Sequence, residues 1–244
     1  YKVLGIVQPP PLTPADVVRQ GDSRYPGSKV IVVASEGYGL TSSAWTAEVL
    51  ATLAEKAGGR RFTDSLRLVS ASSGAALGTT YFVEAYEPGG FPTTGKGQNV
   101  DDRTLARIRE AAWQPSDSEN AWGLVYPDLT RTFAPYLVPR LLDRGWAMEQ
   151  AWKRHMRVPD ASLNGWRQNV AEGWRPSTAF GVTVVETGGR HLFATYDANP
   201  CAASSAECPD DVTQHYDVPI VTAARLAATF PIVAPVARAQ VDAP

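Results

Sequence analysis

The sequence predicts an α/β fold whose central sheet is mainly parallel and flanked by helices. A β-branched run at Lys29–Ala34 and a second apolar run at Leu66–Ser70 each pass through a turn of small residues into a helix. Successive strand–turn–helix units imply a right-handed β-α-β crossover and therefore a parallel sheet. The chain has 244 residues, of which 44% are hydrophobic, and this is enough to bury a sizeable core.

The first unit follows a Pro-rich lead-in over residues 1–27, in which we expect one short helix near Ala15–Gln20. The run Lys29–Ala34 lies between Gly27 and Gly37 and is typical of a strand buried on both faces of a parallel sheet. A helix from about Ser43 to Lys56 comes next. Its apolar side chains fall on one face and predict the buried side: Trp45, Val49, Leu50, Leu53 and Ala54.

The second unit contains two serines in a turn of small residues between the strand and a helix over Ala75–Ala85. A serine on such a tight turn is typical of a nucleophile elbow, where large side chains two positions away would collide. The positions around Ser72 and those around Ser73 both meet this demand, so the spacing leaves both as candidates. A tight connection in an ordinary α/β domain is the other interpretation of the same pattern.

The remaining chain predicts further helices and one hairpin, while residues 114–145 show little periodicity. The predicted elements are a helix at Arg103–Trp113 with Asp101 or Asp102 as its cap, a helix at Leu141–Met156, strands at Phe180–Thr187 and Arg190–Thr195 joined by Gly188-Gly189, and a helix at Thr222–Ala228.

Composition excludes several classes of function. The net charge of −2 gives no basic excess for nucleic acid, and no apolar run reaches the length of a membrane span. The histidines are scattered and predict no metal site or other cofactor. Cys201 and Cys208 lie in a loop of small residues where a disulfide is sterically easy. A disulfide there would place the protein outside the cytoplasm, and otherwise we expect a cytoplasmic or membrane-associated protein.

The two turns together predict acyl-transfer chemistry. Because the carboxyl ends of adjacent parallel strands share one edge of the sheet, backbone N–H groups near Gly37 and Gly39 are expected beside the serine turn. A nucleophile next to donors aimed at a developing oxyanion is what acyl transfer requires. A dinucleotide site is the competing use of a glycine turn, but Ser42 replaces its third glycine and Ser70 its acidic residue.

Four segments resemble bacterial patatin-like phospholipases, in order, over about residues 30–236. The segment Ala34–Ala47 is similar to the oxyanion-loop segment of that family, which typically reads Glu-Gly-Gly-Gly-Ile-Arg and then Trp-Thr-Ala. Val69–Gly78 aligns without gaps on the family's Val-Ser-Gly-Val-Ser-Gly-Gly-Ser-Leu-Gly, which makes Ser73 the nucleophile and Ser72 the second candidate. Asp143–Trp152 and Ala223–Pro235 resemble further family segments.

The resemblance implies a patatin-like three-layer fold and a lipid acyl hydrolase that uses a Ser-Asp dyad without a cofactor. Ser73 would attack a lipid or phospholipid ester, with Gly37, Tyr38 and Gly39 forming the oxyanion hole. Peripheral contact with a membrane follows from such a substrate. We expect the catalytic domain over residues 28–244, incomplete at its C-terminal end.

The sequence departs from the family pattern at several site positions. Tyr38 replaces the middle glycine of the oxyanion loop, and a side chain there is expected to crowd the hole. Thr41 replaces the family's arginine, and Ala71 and Ala75 replace two elbow glycines.

The sequence leaves three alternatives for the catalytic base of this site. The family's Asp-Gly-Gly motif is not found after the Phe-Pro segment, where Asp242 is the nearby candidate. The base therefore lies beyond Pro244, is Asp242, or has been lost, and in that last case the domain would serve in binding or scaffolding. A Ser-His-Asp triad with His215 as base is the mechanistic rival.

Overall fold

The computed structural model describes residues 3–6, 12–24, 27, 29–39, 41–95, 99–114, 116–139, 142–198 and 216–230. These residues form a mixed α/β fold of helices and a mixed sheet. The strands are β1 Leu4–Ile6, β2 Ile31–Ser35, β3 Leu66–Ser72, β4 Ser177–Thr183, β5 Arg190–Ala194 and β6 Tyr216–Asp217. The helices are α1 Pro14–Arg24, α2 Thr41–Lys56, α3 Arg60–Ser65, α4 Ala75–Glu84, α5 Asp102–Trp113, α6 Asp117–Gly123, a π-helical segment Leu124–Leu129, α7 Thr130–Phe133, α8 Arg144–Lys153, α9 Leu163–Ala171 and α10 Ile220–Ala227.

The main sheet has the strand order β2-β3-β4-β5. β2, β3 and β4 run parallel, which confirms the predicted parallel pairing of the two strand–turn–helix units. β5 runs antiparallel to β4, as the predicted hairpin requires. The short strands β1 and β6 form a separate antiparallel pair.

Both faces of the sheet are packed at β4, because successive residues of this strand enter different clusters. Phe180 belongs to the main core cluster, which also contains residues of α2, α4 and α10. Its neighbour Ala179 packs with Val17 of α1 and Val170 of α9 in a smaller cluster. This alternation is the ordinary consequence of a pleated strand between two layers of side chains.

The prediction that β2 is buried on both faces is wrong. Ile31 and Val33 pack against the main core, whereas the side chain of Val32 is 53% exposed. β2 is the last strand of the described sheet on its side. A β-branched run suits a half-covered strand as well as a fully covered one, so composition alone could not separate the two.

The predicted apolar face of α2 is wrong in part, because α2 and α4 pack backbone against backbone. A Cβ on Gly78 of α4 would collide with the carbonyl oxygen of Ser43 and would lie 3.1 Å from the amide nitrogen of Ala47. Small residues therefore form most of the buried face of α2: Ser42, Ser43, Ala44, Thr46, Ala47, Leu50, Ala51 and Ala54. Leu50 and Ala54 are buried as predicted, whereas Trp45, Val49 and Leu53 face outward.

Other predicted elements appear with shifted ends. Asp101 caps α5 through a 2.8 Å hydrogen bond that its carboxylate accepts from the amide of Thr104, which selects it over Asp102. The stretch with little periodicity contains α6, the π-helical segment and α7. No described helix has the length and apolar character needed to cross a membrane. Cys201, Cys208, His215 and Asp242 lie outside the described residues.

Two charged side chains, Glu84 and Arg175, hold the C-terminal end of α4 in place. Glu84 is buried and accepts a 2.6 Å hydrogen bond from the amide of Val158. Arg175 donates 3.1 Å hydrogen bonds to the carbonyls of Val83 and Tyr86, and its guanidinium lies over the ring of Trp166 at 4.6 Å. Such paired contacts offset part of the cost of burying charge.

Replacing Gly78 with alanine should lower the free energy of unfolding by about 1–3 kcal/mol, because the α2–α4 contact leaves no room for a methyl group. The better helix propensity of alanine is too small to offset that clash. Gly89→Ala is the matched control, since a Cβ there meets no atom within 4 Å. Urea unfolding measures both variants, and equal stability of Gly78→Ala and the native protein would contradict the packing.

Burial raises the pKa of the Glu84 carboxyl above its ordinary value and outweighs the opposing effects of its hydrogen bonds, Arg175 and Arg107. The folded state therefore holds this proton more tightly, and the stability it contributes is lost as the pH rises through the raised pKa. We expect Glu84→Gln to gain stability relative to the native protein as the pH rises from about 4 to 7. Unfolding free energies across that range test this, and a pH-independent difference would refute it.

Candidate functional site

Ser73 occupies the turn between β3 and α4 in a strained backbone conformation. Its φ is +54°, and among the described residues it is the one non-glycine residue with a positive φ. A side chain in this region costs about 1–2 kcal/mol, because Cβ approaches the following carbonyl. Ser73 is held there by a 3.0 Å hydrogen bond from its amide to the carbonyl of Ala227. Observed outliers of this kind cluster at functional sites.

Ser72 has a different environment. It is the last residue of β3 and pairs with Gly181 of β4 in regular parallel register. Its backbone has no positive φ. The two serine candidates are therefore distinguished by geometry: one ends the strand and the other forms the turn.

The predicted glycine turn lies directly against the serine turn. A Cβ on Gly37 would lie 2.6 Å from the amide nitrogen of Gly74, 2.8 Å from the carbonyl oxygen of Ser72 and 2.8 Å from Cβ of Ser73. A Cβ on Gly74 would likewise collide with the carbonyl oxygen of Gly39. The structure thus brings Gly37, Gly39 and Ser73 together, and the close contact requires glycine at positions 37 and 74.

Tyr38 lies between these glycines, and its side chain is 92% exposed. It therefore projects into solvent and packs against neither turn. The chain then enters α2 through two local hydrogen bonds: the hydroxyl of Thr41 donates to the carbonyl of Tyr38 at 3.1 Å, and that of Ser42 donates to the carbonyl of Gly39 at 2.6 Å. Gly39 has a φ of +67°, which favours glycine at this position.

Sequence reasoning missed the role of α10, whose last residue, Ala227, bonds to the amide of Ser73. Arg225 anchors this helix through a buried 2.6 Å ion pair with Glu149 of α8. The hydroxyl of Thr229 donates to the carbonyl of Arg225 at 3.1 Å and closes the end of the helix. A backbone carbonyl leaves no signal in a single sequence, so only the structure could assign this contact.

The described residues supply Ser73 with no general base. Within that part of the chain no side chain forms a hydrogen bond with Oγ of Ser73, and both proposed bases, Asp242 and His215, fall outside it. The described residues also contain no group of three or more His, Cys, Asp or Glu side chains that could hold a metal ion.

Comparison with protein-family models, with curated proteins and with solved structures gives no match to this chain.

Replacing Ser73 with glycine should give a protein about 1 kcal/mol more stable than replacing it with alanine, since glycine adopts a positive φ without strain. The same pair of changes at Ser72 should give the opposite order by about 0.5–1 kcal/mol, because glycine weakens a regular strand. Urea unfolding of the four variants measures both differences. Alanine being the more stable replacement at both positions would contradict the backbone assigned to Ser73.

Proposed function

We propose that this protein is a serine-dependent lipid acyl hydrolase with Ser73 as its nucleophile. The observation that carries the proposal is the strained backbone of Ser73 in direct contact with the turn at Gly37–Gly39. A nucleophile on a tight strand–helix turn needs that conformation to expose its hydroxyl. Backbone N–H groups of the neighbouring turn would supply the second requirement of acyl transfer, donors to the oxyanion.

In this mechanism Oγ of Ser73 forms a bond to the carbonyl carbon of an ester, and its proton passes to an aspartate base. The charge that develops on the carbonyl oxygen is stabilised by backbone N–H groups of residues 37–39. The alcohol leaves with the transferred proton, and a water molecule then releases the acid from the serine. The side chain of Tyr38 is exposed to solvent, and this supports a site that its ring does not crowd.

The lipid substrate and the three-layer form of the fold rest on the resemblance to patatin-like phospholipases. Its four segments are linked by contacts in the structure. Gly37 touches Ser73, the amide of Ser73 binds the carbonyl of Ala227, and Arg225 pairs with Glu149. Segments that are distant in the chain but joined in this way favour one shared site over four chance similarities.

Peripheral contact with a lipid surface is part of the same proposal. Large apolar side chains between Trp122 and Leu137 are exposed in the π-helical segment and around it, among them Val125, Phe133 and Tyr136. Exposed aromatic and aliphatic groups on one segment suit the boundary between water and lipid.

A domain that binds lipid without hydrolysing it is the second candidate. The observation that favours it is the lack, within the described residues, of any side chain bonded to the Ser73 hydroxyl. A serine without a base is a weak nucleophile.

We expect a fluorophosphonate probe to label the native protein and Ser72→Ala, and to leave Ser73→Ala at background, because the probe forms a bond only with an activated serine. Mass spectrometry of the labelled peptide identifies the residue. If labelling is lost in Ser72→Ala and kept in Ser73→Ala, the nucleophile is Ser72. No labelling of the folded native protein would contradict the hydrolase and favour the binding domain.

Asp242→Asn tests the candidate base. If Asp242 is the partner of Ser73, the probe should label this variant less than it labels the native protein.

A further inference from the structure

A groove with a volume of about 630 Å³ opens between the glycine turn, the start of α2 and the end of α5. We call it the aromatic groove. Its lining consists of Glu36, Tyr38, Thr41, Ser42, Ala44, Trp45, Glu48 and Trp113. Its volume falls within the roughly 300–1,000 Å³ of small-molecule sites.

Three aromatic side chains give this groove its character. Trp45 and Trp113 are each 70% exposed, and Tyr38 is still more exposed. Isolated apolar side chains on a surface need no explanation, but three large ones lining one concavity mark a binding surface. Trp45 faces outward because the close contact between α2 and α4 leaves no room for an indole on the buried side.

Helix α5, which carries Trp113 at one side of the groove, is held in place by ion pairs. Arg109 of α5 donates to Glu48 at 2.9 Å and to Glu55 at 3.0 Å, and both carboxylates belong to α2. These contacts join α5 to the outer side of α2 and keep Trp113 at the same groove as Trp45.

The charges of the groove indicate what it can hold. Its two charged lining residues are carboxylates, of which Glu48 is already paired with Arg109, so the lining offers no cationic group to a phosphate or another anion. The aromatic rings favour hydrocarbon. An uncharged acyl chain fits this combination better than the head group of a phospholipid does.

The groove lies next to the candidate site through the two residues that flank Gly37. Glu36 and Tyr38 flank Gly37, which lies against Ser73, and Ser42 approaches Gly74. We propose that the aromatic groove holds the acyl chain of the ester whose carbonyl is attacked by Ser73. This inference rests on the proposed function and adds the residues that select the length of the chain.

Esters of two chain lengths test the proposal. We expect the native protein to have a higher kcat/KM for p-nitrophenyl dodecanoate than for the butanoate, with both kept below their aggregation limits. Trp45→Ala and Trp113→Ala should each lower the dodecanoate value about tenfold, the loss expected when part of an aromatic contact is removed. Their butanoate values should stay within about twofold of native, because a short chain does not reach the rings.

Trp146→Ala is the control, since Trp146 of α8 is a partly exposed tryptophan that lies outside the groove. Equal losses on both esters, or the same loss in the control, would overturn the groove as an acyl-chain site. No hydrolysis of either ester by the folded native protein would instead contradict the proposed function.

A binding measurement separates these two failures. In the Ser73→Ala background, fluorescence titration with a fluorescently tagged 12-carbon alcohol reports chain binding without catalysis. We expect Trp45→Ala to raise the Kd about tenfold and Trp146→Ala to leave it unchanged. An unchanged Kd in Trp45→Ala would overturn the inference whatever the esters show.

Discussion

The structure depends on one close contact between two backbones, the seam along which the first strand–turn–helix unit meets the second. At Gly37, Gly74 and Gly78 an added Cβ would collide with the opposite unit. The seam fixes the glycine turn relative to Ser73. It also requires small residues on the inner face of α2, which turns Trp45 outward. The candidate site and the neighbouring groove therefore have the same physical cause.

The seam also determines how much the sequence could predict. The two strand–turn–helix units, the parallel pairing and the hairpin follow from local patterns, and the structure has them. Local patterns narrowed the cap of α5 to Asp101 or Asp102, and the structure selects Asp101. The inner face of α2 could not be predicted, because hydrophobicity favours burial of Trp45 and Val49 while the distance between two helices decides what fits. The exposure of Val32 depends on which strand lies at the edge of the sheet, and that is a property of topology.

At the candidate site, too, the sequence predicts the pattern of small side chains but not the contacts of the backbone. The two turns and the serine pair are visible in the sequence, because each requires small residues at fixed spacing. Spacing leaves Ser72 and Ser73 equivalent, and only backbone dihedrals distinguish a strand end from a strained turn. The carbonyl of Ala227 belongs to a residue that offers no chemical signal, so a contact that holds Ser73 in place was invisible before the structure.

That contact has a consequence for the order in which the protein folds. β3 and α4 are neighbours in the chain, whereas the hydrogen bond that satisfies the amide of Ser73 comes from α10, near the other end of the described chain. Closing so long a loop costs entropy before the contact can repay it. We therefore expect the conformation of Ser73 to be completed after α10 has docked through Arg225 onto α8. A molecule in which α10 is detached would lack the carbonyl that holds the serine turn.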